Sequence, residues 1–292
     1  MTGHVAVLLC HPHRPLIDDA LRQRVGRVIG GTARVLRDGV AAEWPVEDPI
    51  GASRALRALV DGQPIDVAVL PLTGRRKRLL IADMDSTMIE QECIDELAAE
   101  VGRKDEVAAV TAAAMRGEIA FDQALRDRVA TLRGLPVSTV DNVLRERIVL
   151  RSGGRTLVQT MRANGAHTML VSGGFTLFTE AIAKAVGFDE NQANVLEVED
   201  GAFAGTVREP ILGSDAKLAA LRGAVAARAL DPTDTLAVGD GANDLPMIEA
   251  AGLGVALHAK PAVAARARVR IDHGDLTALL YLQGYAHDEF AA

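Results

Sequence analysis

A chain of 292 residues with 49% hydrophobic and 24% charged side chains has the composition of an ordinary soluble globular protein, with material for one large domain or two smaller ones. Its net charge of −7 argues against a nucleic-acid binder, which needs a basic face to displace counterions. There is no charged-then-apolar leader and no apolar run of about 18 residues, so neither export nor a membrane partner is expected, and the widely separated Cys10 and Cys93 suggest no disulfide; a reducing cytoplasm is the expected setting.

Residues 1–74 read as a unit of their own. Val5-Ala6-Val7-Leu8-Leu9 reads as a strand, and Ile17, Leu21, Val25 and Val28 have helical spacing over residues 16–29. Ala33 to Val46 suggests two short strands broken at Asp38-Gly39, followed by a helix over 53–60 and the strand Val67-Ala68-Val69-Leu70. The order β-α-β-β-α-β predicts an α+β, ferredoxin-like layout with the helices on one face. Cys10, His11 and His13 lack a fourth ligand at a useful spacing and are expected to be a plain strand end. The basic run Arg75-Arg76-Lys77-Arg78 is expected to be a solvated linker.

The stretch that follows organises the rest. Leu79-Leu80-Ile81-Ala82 predicts a buried parallel strand, and Asp83-Met84-Asp85 puts two carboxylates on one side of its carboxyl end, where open α/β sheets bind ligands. Two such carboxylates repel unless a cation or a proton lies between them; one can then attack as a nucleophile while the other handles the proton. The competing reading is a turn or helix cap after a core strand. Residues 90–149 are rich in Ala, Glu and Arg, with helical spacing through Ile94, Leu97 and Val101 and through Leu125, Val129 and Leu132. Gly102, Gly117 and Gly134-Leu135-Pro136 divide them into three or four helices, a lid over the strand end.

An α/β pattern then resumes, with a helix over 155–163, the strand Thr168-Met169-Leu170-Val171 running into Ser172-Gly173-Gly174, and a helix over 176–186. A hairpin is expected from Val195 to Val207, turning at Asp200-Gly201, then a helix opening at Asp215-Ala216-Lys217. The strand Thr235-Leu236-Ala237-Val238 ends in Gly239-Asp240-Gly241-Ala242-Asn243-Asp244, and Leu253–Leu257 and Val269–Ile271 read as further strands. The alternation predicts an α/β core with a doubly wound, Rossmann-like parallel sheet. Asp83, Asp85, Ser172-Gly173-Gly174, Lys217, Asp240 and Asp244 should then share one rim, with a hydroxyl and open backbone N–H groups for a phosphate oxygen. A hard divalent cation bridging oxygen ligands to a phosphate satisfies that charge pattern.

Asp83-x-Asp85-Ser86-Thr87, Ser172-Gly173-Gly174, Lys217 and Gly239-Asp240-Gly241-x-Asn243-Asp244 resemble, in order, the four motifs of the haloacid dehalogenase superfamily. Asp83 through Glu92 together with Phe121-x-x-x-Leu125-Arg126-x-Arg128-Val129 resemble the bacterial phosphoserine phosphatase family within it, over residues 79 to about 285. The resemblance implies hydrolysis of phosphoserine to serine and phosphate, the last step of serine biosynthesis, through an aspartyl phosphate on Asp83, with Asp85 as acid and then base. It implies Mg²⁺ held by Asp83, the backbone carbonyl of Asp85, and Asp240, with Asp244 nearby. Ser172, Gly173 and Lys217 would hold the phosphate, with Asn243 close. Glu92 would meet the substrate ammonium and Arg128 its carboxylate, an assignment that suits the bidentate fork of Arg, and Phe121 and Met115 would exclude water. Within 75–292 the cap would span about 90–149. The unit 1–74 would be ACT-like, its role open between amino-acid sensing, homodimerisation and packing.

Two other functions remain open to the sequence: a phosphotransferase passing the phosphoryl group to an alcohol such as homoserine, and a catalytically idle amino-acid sensor. Ser214-x-x-Lys217 also fits a penicillin-binding pattern, but no Ser-Asp-Asn or Lys-Thr-Gly follows it.

Overall fold

The computed structural model describes residues 3–115 and 118–291. The first elements are β1 (His4–Leu9), α1 (Asp19–Ile29), β2 (Arg34–Arg37), β3 (Ala41–Val46), α2 (Pro49–Leu59) and β4 (Asp66–Pro71). Their strands pair antiparallel in the order β2-β3-β1-β4, the ferredoxin-like layout expected. Caps set the helix starts. Asp18 accepts from Leu21 N at 2.7 Å, so α1 begins at Asp19 and not at 16, and Ile17 is left to bridge Gly39. Asp48 accepts from Ile50 and Gly51 N–H, and Pro49 opens α2 ahead of the expected 53.

β1 is apolar throughout because both its faces are covered. Ala6 and Leu8 pack with Leu21, Val25, Ala52 and Leu56 of the two helices. Val5, Val7 and Leu9 join the second core, with Leu280 and Tyr281. Polar ties fix the same junction. The Asp66 carboxylate accepts the backbone N–H groups of Asp272, His273 and Gly274 at 2.8–3.2 Å. Arg75 reaches Glu43 at 2.7 Å and donates to the Leu282 carbonyl at 3.0 Å. The solvated-linker expectation therefore fails at Arg75, whose side chain is only 8% exposed: Glu43 is buried in the sheet and needs a cationic partner. Arg76 and Arg78 do face solvent.

The second set opens with β5 (Leu79–Ala82), fully buried, and continues with the cap helices α3 (Cys93–Glu100), α4 (Lys104–Met115), α5 (Phe121–Ala130) and α6 (Thr139–Glu146). Val101, expected on the apolar stripe, instead caps α3 and is half-exposed. Gly117 lies outside the described residues. The chain then runs α7 (Gly154–Ala163), β6 (His167–Phe175), α8 (Thr176–Val186) and β7 (Glu190–Asn194). The hairpin β8 (Leu196–Glu199) and β9 (Ala202–Val207) follows, then α9 (Ser214–Ala227), β10 (Thr235–Gly239), α10 (Leu245–Ala250) and β11 (Leu253–Leu257). α11 (Pro261–Ala264), β12 (Val269–Ile271) and α12 (Ala278–Leu282) close the order.

Among the described residues six strands form one sheet in the order β12-β11-β10-β5-β6-β7, every pairing parallel. From β5 the chain moves to β6 on one side, and from β10 to β11 on the other, so the direction switches between β5 and β10. Crevices at such switch points, at the carboxyl ends of the strands, are where ligands bind in open α/β sheets. Ala82 pairs with Val238, which sets Asp83 and Asp240 at that crevice.

Candidate active site

Asp83 follows β5 directly and is buried, its Oδ1 accepting Met84 N–H at 2.8 Å and lying 2.6 Å from Lys217 Nζ. Asp85 divides its two oxygens. One accepts Cys93 N–H at the start of α3 at 3.0 Å, and the other accepts the Ser172 hydroxyl at 3.3 Å. The helix-cap reading of Asp-x-Asp is thus true of one oxygen, which leaves the other facing the cavity. Ser86 sits in the left-handed region at φ 55°, a conformation that costs a non-glycine residue energy. It is held there by Arg151, which donates to the carbonyls of Ser86 at 2.9 Å and Thr87 at 3.1 Å. The Ser86 hydroxyl donates to Glu92 at 2.6 Å.

Asp240 and Asp244 follow β10. Asp244 folds back on the strand end, its Oδ2 accepting the N–H groups of Asp240 at 3.1 Å and Gly241 at 3.0 Å. Glycine is required at 239, where a Cβ would lie 2.3 Å from the Asp244 carboxyl carbon. Lys217, on the first turn of α9, is completely buried and lies 2.7 Å from Asp244 as well as 2.6 Å from Asp83. Asp83, Asp240 and Asp244 each offer an oxygen within 4.8 Å of the others, and among the described residues they are the group so disposed to hold a metal. Burial first, then the charge of Asp244, pushes the Asp83 carboxyl well above its ordinary range and raises Asp240 as well. Burial opposes the ammonium of Lys217, but Asp244 and Asp83 outweigh it and hold its pKa above the usual value. Three buried carboxylates against few cations, with oxygen donors only, fit a hard divalent ion.

Lys260 was not singled out by the sequence. It meets Asp240 at 2.6 Å from the loop after β11, and its only local signal is a place at another strand end of the same rim.

A cavity of about 240 Å³ lies between this rim and the cap, lined by Asp83, Asp85, Glu92, Arg128, Ser172 and Asn243 among others. All the expected site residues are therefore brought to one place: Gly173 also lines the cavity, Lys217 and Asp244 stand in contact behind Asp83, and Asp240 offers an oxygen within 4.8 Å of Asp83 and Asp244. Phe121 from α5 lies over Gly173, where a Cβ would come within 2.9 Å of the ring. The Met115 side chain, the other expected shield, lies outside the described residues. Arg128 is buried and aimed by two bonds, to the Ala124 carbonyl at 2.9 Å and to Thr111 Oγ1 at 2.8 Å, and Thr111 in turn donates to Asp95 at 2.8 Å. Glu92 lines the same cavity, and burial together with the charge of Asp85 raises its carboxyl well above the ordinary range. Among the described residues the buried Asn243 amide oxygen has no partner; turned end for end, the amide would present donors to an oxyanion.

The chain is similar to known proteins. A family model for haloacid dehalogenase-like hydrolases matches residues 80–249. A phosphoserine phosphatase of Streptomyces coelicolor is 40% identical over 289 residues, which is 95% of this chain and 70% of that protein. The crystal structure of a haloacid dehalogenase family hydrolase from Salmonella enterica serovar Typhi superposes with a TM-score of 0.84 at 27% identity, covering 99% of this chain and 100% of that one. A phospho-aspartyl intermediate analogue of phosphoserine phosphatase does so with a TM-score of 0.67 at 37% identity, over 70% of this chain and 98% of that one. The motifs, the parallel sheet with its cap, and these likenesses together make the chain a member of the haloacid dehalogenase-like hydrolases, within their phosphoserine phosphatase family.

Proposed function

We propose that the protein hydrolyses O-phospho-L-serine to serine and phosphate in two steps through an aspartyl phosphate. An Asp83 carboxylate oxygen attacks phosphorus, and the bond to the serine oxygen breaks. Asp85 gives that leaving oxygen a proton. It then takes one from the water that attacks the aspartyl phosphate, which releases inorganic phosphate and restores both carboxyls. Asp85 suits this double duty because one oxygen is fixed by Cys93 N–H while the other stays available beside Ser172.

Ser172, the Gly173 backbone, Lys217 and Asn243 bind the phosphoryl oxygens, and Glu92 and Arg128 bind the ammonium and carboxylate of the serine moiety. Mg²⁺ would be held by Asp83, the Asp85 carbonyl and Asp240, with Asp244 supporting. When bound it supplies charge that screens the phosphate from the attacking carboxylate. Phe121 shields the cavity from water. The phosphatase chemistry is assigned to 75–292 and an accessory role to the ACT-like 1–74; serine as product suits a last step of serine biosynthesis.

One observation carries the reading: the Asp83 carboxylate, in a buried contact of 2.6 Å with Lys217 at the switch point, lines a cavity that is also lined by the Glu92 carboxylate and the Arg128 guanidinium. These are the complements of an α-amino acid. The test is release of phosphate from phosphoserine with Mg²⁺, with chelator, and with added homoserine. Mg²⁺-dependent release that homoserine does not divert is expected. Full rate in chelator would defeat the metal assignment, and phosphohomoserine would make the protein a transferase.

A further inference from the structure

Asn194, the last residue of β7, is buried to 3% exposure, and its amide is completely engaged. Nδ2 donates to the carbonyls of Gly173 at 2.8 Å and Leu212 at 3.2 Å, and Oδ1 accepts Leu212 N–H at 2.7 Å. Because Oδ1 meets a backbone N–H, the amide orientation is fixed by its partners. The two segments it joins are distant in sequence and both border the cavity. One is Ser172-Gly173-Gly174, which lines it. The other is Leu212-Gly213-Ser214: Ser214 lines the cavity, and the Gly213 carbonyl accepts the backbone N–H of Lys217 at 3.2 Å.

We propose that Asn194 is a positioning residue for oxyanion binding, which sets the Gly173 peptide and the start of α9 in register so that the backbone N–H groups and Lys217 converge on one phosphoryl group. The inference rests on the phosphatase reading for its substrate, but not for its geometry. Gly173 has no side chain to fix its peptide, and a carbonyl held from outside fixes the plane of the peptide that joins it to Gly174. Ser172 fixes only one side of the turn, by accepting Gly174 N–H at 2.9 Å. Without Asn194 two carbonyls and one N–H lose their partner in a buried place, and the loop must turn to find others. Preorganised donors are what bind an oxyanion without reorganisation.

The test compares Asn194→Ala and Asn194→Asp with the unaltered full-length protein, all with Mg²⁺. The Asp variant keeps the shape, so it guards against a failure of the Ala variant to fold, and it turns a carboxylate oxygen toward two carbonyls. Three quantities are measured: the dissociation constant of inorganic phosphate by calorimetry, kcat and KM on phosphoserine and on a small phosphate ester, and Tm without phosphate. Phosphate affinity should fall about 10-fold or more, the scale seen when the residues behind a site's ligands are removed, and kcat/KM should fall alike on both esters. A lowered Tm with phosphate affinity and kcat/KM within twofold of the unaltered protein would overturn the proposal and leave Asn194 a packing residue. If the unaltered protein binds phosphate but does not turn over phosphoserine, the functional reading fails, and the phosphate titration still decides the role of Asn194.

Discussion

Replacing Lys217 with Met removes a charge while keeping most of the volume, and its cost follows from charge balance at the crevice. Asp83, Asp240 and Asp244 are compensated there by Lys217 and Lys260. Counting those three carboxylates and two ammonium groups alone, one negative charge is in excess in the metal-free protein, and Lys217→Met makes the excess two. Breaking a buried pair by removing one partner costs about 3–5 kcal/mol. The loss has a ceiling, because the cluster can take up one more proton. At pH 7 that means protonation about 3 units above a free carboxyl pKa, at 1.36 kcal/mol per unit, or about 4 kcal/mol. The pH dependence follows with a definite sign. Burial pushes Asp83 above its unfolded value and Lys217 opposes that shift, so the folded variant holds a proton there more tightly than either the unfolded chain or the unaltered protein does. Its stability deficit is therefore larger at pH 7 than at pH 5.5 and shrinks on acidification toward the unfolded carboxyl pKa, by at most about 1.4 kcal/mol per unit. Urea unfolding in chelator at pH 7 and pH 5.5 measures both quantities, and adding Asp83→Asn to Lys217→Met should restore part of the loss. A deficit under about 1 kcal/mol at pH 7, or one equal at both pH values, would refute the electrostatic account.

Three further outcomes are expected. Asp85→Asn should leave the protein folded, since an amide oxygen can still accept Cys93 N–H, and should slow phosphate release by about 10²–10⁴-fold; a wild-type rate would move the acid–base role elsewhere. Arg128→Ala should cut kcat/KM for phosphoserine by roughly 30-fold or more, the effect of stripping a buried charge of its partner, and barely change it for a phosphate ester without a carboxylate; because Arg128 also bonds Ala124 and Thr111, equal losses on both esters would mark it as a support of the cap. Asp66→Ala should lower stability by about 2–3 kcal/mol in urea unfolding, by leaving the N–H groups of residues 272–274 without their acceptor, while kcat/KM stays unchanged; unaltered stability would mean that solvent satisfies them.

The Asp66 contact bears on how the first sheet relates to the second. A domain joined only by a linker would keep one face of its sheet polar, as antiparallel sheets commonly do. Here Val5, Val7, Leu9, Ala68 and Leu70 belong to the same apolar cluster as Leu279, Tyr281 and Tyr285. Arg75, Glu43 and Asp66 close the polar bonds at its edge. Separating the two sheets would expose that apolar face and strand a buried ion pair. The first unit is in this sense part of the phosphatase core, whatever ligand or partner its other surfaces engage.

What could be read from the chain divides along the same physical line. β5, β6 and β10 were legible because a strand buried on both faces is an uninterrupted apolar run, and the candidate site residues at their ends because each directly follows such a run. The hairpin β8–β9 was legible from Asp200-Gly201 at its turn. β7 was not. Glu190-Asn191-Gln192-Ala193-Asn194 is an edge strand, its residues largely exposed, and it carries no apolar period. The residues overlooked with it are polar groups whose importance lies in a partner remote in sequence: Asn194 with Gly173 across 21 positions, Lys260 with Asp240 across 20, and Arg75 with Glu43 across 32. Periodicity detects burial against a layer, and a motif detects groups that share one turn. A side chain that meets a partner so remote in sequence leaves neither trace.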